Sequence, residues 1–187
     1  MKLTYILLSL FGTASAVDSL LELGDGLWSV SATKGYPDFN TAVRIDNTTY
    51  LPADDDDDSG GKKKGPCLRI LKEPVYVQTR PMDFDRAEYD RARQNFIQWL
   101  DRGPGRVEQS SCKYSVIGTS AVGACTYGFK NPVCAAEFDT AMVRADLPLP
   151  AGGCGAQTRG CAVLIPKWKK IYCRINTMEA RPFGHSC

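Results

Sequence analysis

Apolar and polar residues alternate from Leu27 in LWSVSAT, with Trp28, Val30 and Ala32 on one parity and Leu27, Ser29 and Ser31 on the other. A period of two predicts a half-buried β-strand. GYPDFN then carries turn chemistry, and TAVRI resumes as a second strand. CLRIL and VYVQT read as two short strands parted by Lys72-Glu73-Pro74, and CKYSVIG and VGACTYGF as two more. Between these pairs the period becomes helical. Within FDRAEYDRARQNFIQWLDRGPG, Tyr89, Ala92, Phe96, Trp99 and Leu100 fall on one stripe, while Arg86, Asp90, Arg93 and Arg102 fall on the other. Asp85 followed by Glu88 makes a capping box, Gly103 suits the residue after the last turn, and Pro104 bars continuation, so the helix covers 86–101.

AAEFDTAMVRA, beginning just after Pro132, reads as a second, shorter helix whose start Cys134 should anchor. The Pro/Gly-rich DLPLPAGGCGAQTRG is a long loop, and Cys154 within it supplies a means of fixing it. In the closing hairpin CAVLIPKWKKIYCRIN, the odd positions Cys161, Val163, Ile165, Ile171, Cys173 and Ile175 are all apolar or cysteine, so they are assigned to the core. Trp168, Lys170, Tyr172 and Arg174 then project from the opposite, partly exposed face as a ladder of alternating aromatic and cation. The order of elements predicts an α+β fold: an antiparallel β-sheet with one or two packed helices.

Composition adds the compartment. MKLTYILLSLFGTASA combines Lys2, an apolar run from Tyr5 to Phe11 and the small-residue site Ala14-Ser15-Ala16, the pattern of a secretory leader over 1–16. The run is too short to span a bilayer, and no later one approaches that length, so no membrane span is expected. All eight cysteines, Cys67, Cys112, Cys125, Cys134, Cys154, Cys161, Cys173 and Cys187, follow the leader. An even set in an oxidising compartment predicts about four disulfides, whose pairing spacing alone leaves open. Zinc would call for closer cysteine pairs, so no metal or other cofactor is expected.

The cysteines also divide the chain. Residues 17–66 contain none, and residues 67–187 contain all eight. Charge divides at almost the same place: 17–64 carries ten acids and five bases, whereas 65–187 carries eleven acids and seventeen bases. Between them lies DDDDDSGGKKKG, where five adjacent carboxylates repel and stay solvated. The tribasic Lys62, Lys63 and Lys64 make this loop a processing site if the first part is a pro-segment, and a plain connection if it is not. Asn47-Thr48-Thr49 is an N-glycosylation sequon.

Little here points to catalysis. The one histidine is His185, and GTSAVG places its second glycine one residue too late for a nucleophile elbow. A ribonuclease-like reaction would pair His185 with Glu137 or Glu179 and use arginine to steady the phosphate. The Trp168, Lys170, Tyr172, Arg174 ladder suits a planar or anionic partner instead, because rings stack and cations pair with carboxylate or phosphate. Nucleic acid falls within that class.

The leader, the even cysteine set, the small α+β body and the lack of an enzyme motif together resemble the secreted cysteine-rich effectors of plant-associated fungi. Within that class Cys67 to Cys187 is similar to the Leptosphaeria avirulence and suppressing family. PKWKKIY stands where that family has a tryptophan-basic-aromatic motif, with lysine in place of arginine. GACTYGF followed by a helix also resembles the fungal extracellular necrosis-inducing type. The resemblance implies a non-catalytic avirulence or virulence protein that binds a host target and is recognised by a host immune receptor. It would act in the host apoplast or after translocation into host cells. A small hydrolase using His185 and a toxin released at Lys64 are the alternatives.

Overall fold

The computed structural model describes residues 20–33, 36–46, 76–81, 83, 85–102, 107, 109–127, 133–155 and 159–178. The leader, the strand expected at CLRIL, the sequon, the tribasic loop, Cys67, Glu179, His185 and Cys187 lie outside them. Among the described residues there are seven strands: β1 (Gly26–Thr33), β2 (Tyr36–Asp46), β3 (Tyr76–Pro81), β4 (Ser111–Ile117), β5 (Ser120–Thr126), β6 (Arg159–Ile165) and β7 (Lys170–Asn176). Two helices, α1 (Arg86–Arg102) and α2 (Ala135–Asp146), accompany them. The strands form one antiparallel sheet in the order β2-β1-β4-β5-β7-β6-β3. The fold is therefore the expected α+β arrangement. One local expectation was wrong: PDFN is not a turn but the first half of β2. Its Asp38 still makes turn-like bonds, accepting from the Asn40 backbone N–H at 3.1 Å.

Strand β1 lies between β2 and β4 and pairs with both. The cysteine-free and cysteine-rich parts of the chain thus share one sheet. Helices α1 and α2 pack on one face, where Leu27, Val122, Ala124, Val163, Ile165 and Tyr172 meet Tyr89, Phe96, Trp99, Phe138 and Met142. The opposite face carries a second cluster with Val30, Phe39, Tyr114, Val116, Ile171 and Ile175. Both faces are buried, which explains why β4, β5 and β7 are buried at every position and show no alternation.

Local chemistry sets the joints. The Asp85 carboxylate accepts the Glu88 backbone N–H at 2.9 Å, half of the expected capping box. The Glu88 carboxylate does not complete the box; it accepts from the Thr119 N–H at 2.8 Å and the Thr119 hydroxyl at 2.9 Å, tying α1 to the β4–β5 turn. Gly118 opens that two-residue turn with φ +54°, and the Glu88 carboxylate occupies the space that a side chain there would need. The apolar stripe of α1 is buried as the periodicity requires. Cys112 bonds Cys125 directly across β4 and β5, with Cα atoms 4.0 Å apart. Cys154 bonds Cys161, holding the loop after α2 against β6 as expected.

Candidate functional site

The ladder on β7 is the place to look for chemistry, and the structure puts it indoors. Four residues separate Ile165 from its partner Lys170, so the hairpin pairs Cys161 with Arg174 and Val163 with Tyr172. Residues opposite one another share a face. Odd positions of β6 and even positions of β7 therefore both face the helices. Ile171, Cys173 and Ile175 turn to the other core. Assigning one parity to both strands was the error: a connection with an even number of residues reverses parity across the turn. Lys170, Tyr172 and Arg174 are only 3%, 0% and 1% exposed, and only Trp168 is half-buried. The expected partly exposed binding ladder is thus a buried layer beneath α1 and α2.

Each cation in that layer has a carboxylate supplied by α2. Glu137, in the first turn of α2 and itself buried, accepts a hydrogen bond from the Lys170 ammonium at 2.8 Å and another from the Tyr172 hydroxyl. Lys170 also sits 5.4 Å from the centre of the Trp168 ring. Burial pushes the Glu137 carboxyl above its ordinary range, while the hydrogen bond and charge of Lys170 pull the other way. At the far end of α2, Asp146 accepts from Arg174, which also donates to the Gly155 carbonyl at 2.6 Å and stacks 5.6 Å from the Tyr89 ring. Arg93 of α1 pairs with Asp139 at 2.6 Å and approaches Asp146 at 3.8 Å. Burial, and then the charge of Asp146, raises the Tyr89 hydroxyl above its usual range.

These groups join α1, α2, β7 and the loop carrying Cys154. The sequence showed the ladder but not its counter-charges. Glu137 appeared only as a possible partner of His185, Asp139 carried no signal beyond lying on a helix, and Asp146, the last residue of α2, was read as the start of the following loop. Their spacing on α2 brings them over β7 only after the helix docks. Ser120 of the near-nucleophile turn is fully buried at the start of β5. Among the described residues no three His, Cys, Asp or Glu side chains are placed to hold a metal ion.

Cysteines divide three ways. Two disulfides lie within the described residues, and Cys134, the residue capping α2, is bonded as well. Cys173 is buried in the second core, its sulfur 3.9 Å from the Gly123 carbonyl oxygen, and among the described cysteines it is in neither disulfide.

Comparison with family models, with curated proteins and with solved structures finds no match. The site has to be interpreted from its own geometry. Among the described residues no helix is long and apolar enough to cross a membrane.

Proposed function

We propose that this is a secreted, disulfide-stabilised binding protein of effector type, which engages a host target through its outer surface and not through catalysis. The observation that carries this reading is the commitment of Glu137, Lys170, Tyr172, Arg174 and Asp146 to one another beneath the helices. Groups of these types would serve acid–base or anion chemistry in a cleft. Here Glu137, Lys170, Tyr172 and Arg174 are closed off from substrate, partly exposed Asp146 is engaged by Arg174, and together they lock α2 to the sheet. The leader and the disulfides support an extracellular setting.

Two experiments separate this from its alternatives. RNA cleavage by the purified full chain, lost on His185→Ala, would sink the binding reading in favour of a hydrolase. A host-cell response to the native protein that survives His185→Ala but disappears after reduction and alkylation supports it. Release of 17–64 as a pro-segment has little structural support, because β1 is an interior strand whose departure uncovers β4.

A further inference from the structure

We infer that the outer edge of β2 is a self-association surface, on which a second copy of this chain adds its own β2 antiparallel, centred on Val43. The inference does not depend on the effector reading. Among the described residues, strand β2 ends the sheet, with β1 as its one strand neighbour. An edge strand presents unpaired backbone donors and acceptors, a template for another strand. This edge is also apolar: Tyr36, Val43 and Ile45 are 41%, 64% and 37% exposed. They are three of the seven large apolar side chains exposed among the described residues, gathered on a single strand.

The sequence of β2 selects both the segment and the register. Pro37 has no N–H and disfavours pairing in the first half. Thr41–Ile45 contains no proline. Val43 and Arg44 sit opposite Ser29 and Trp28, in the regular stretch between the two irregularities of the β1–β2 ladder. Centred on Val43, two antiparallel copies set Val43 against Val43, Ala42 against Arg44 and Thr41 against Ile45. Apolar side chains meet on the two-fold axis and no like charges face one another. A shift to centre on Arg44 would oppose two guanidinium groups, which destabilises a strand pair.

Arg44 is also drawn back from the edge. Its guanidinium lies 5.6 Å from the Trp28 ring centre and donates to the Asp25 carbonyl at 2.7 Å. The small Ala42 of the second copy can therefore approach it without displacing a charge. A five-residue strand pair is a small interface, so the dimer it forms is weak and concentration-dependent.

Sedimentation of the full secreted protein across the micromolar range tests this. The expected result is a reversible monomer–dimer equilibrium. Val43→Lys, which sets two ammonium groups against each other on the axis, should weaken it at least about tenfold. Val143→Lys, at another exposed apolar position, on α2, should leave it unchanged and controls for general stickiness. Because both side chains are exposed, both variants should retain the wild-type melting temperature. A monomer at every concentration overturns the proposal, and so does a dimer indifferent to Val43→Lys.

Discussion

Glu137 receives two donors at one oxygen in the interior, yet burial holds its carboxyl above the ordinary carboxylate range. A carboxyl whose folded-state pKa exceeds its unfolded value binds its proton more tightly when folded. Its contribution to stability is then full below the unfolded pKa, about 4.3 for Glu, and is lost as pH rises through the folded value. Melting temperatures of wild type and Glu137→Gln should accordingly diverge with pH, the wild type losing ground to the variant as pH rises from about 4 to about 8. Divergence of the opposite sign would show that the attraction of Lys170 outweighs burial. Two neighbours on the ladder test the parity correction. Tyr172→Ala should remove about 3–5 kcal/mol in urea unfolding, as for other buried aromatics. Trp168→Ala, half-buried and stacked on Lys170, should remove about 1 kcal/mol. Equal small losses would mean that Tyr172 is not core.

Elements were recognisable from sequence to the extent that their burial is one-sided. Helix α1 has one buried stripe and one wet one, and its predicted end differs from the observed end by a single residue. Strand β1 follows its alternation at its end, where Val30 and Ala32 are buried while Ser31 is exposed, but at its start Leu27, on the other parity, is buried against the helices. Strand β7 is buried on both faces, so periodicity could not say which parity faces the helices. The four-residue connection from Ile165 to Lys170 decided that. Turn signals failed at PDFN for a related reason, since an edge strand tolerates proline and local Asp–Asn bonding that an interior strand would not. Among the cross-links, Cys112–Cys125 closes a 13-residue separation between adjacent strands. Replacing both by alanine should lower unfolding free energy by about 3 kcal/mol on a loop-entropy estimate, measured by urea titration under non-reducing conditions. A negligible loss would show that β4 and β5 are held by their buried ladder alone.

On the scale of the whole molecule, the break in cysteine content and charge near residue 65 does not mark a break in the fold. Strand β1 contributes Leu27 to one core and Val30 to the other, and its ladder covers β4 from Ser111 to Val116. The chain lacking 17–64 should therefore fail to reach a native state, giving no cooperative thermal transition and strong binding of an apolar dye. A soluble, cooperatively melting 65–187 would restore the pro-segment reading.

Local features were determined by the sequence itself: the α+β class, the extent of α1 and the fixing of the loop by Cys154. Each depends on residues close together in the chain or on simple counting. The tertiary structure alone decided that the aromatic–cation ladder is interior, that Glu137 and Asp146 pair with its cations, that Cys173 faces the second core, and that β1 is an inner strand. These outcomes depend on which segments meet across the sheet. A one-residue change in register exchanges its two faces, and no local pattern records that choice.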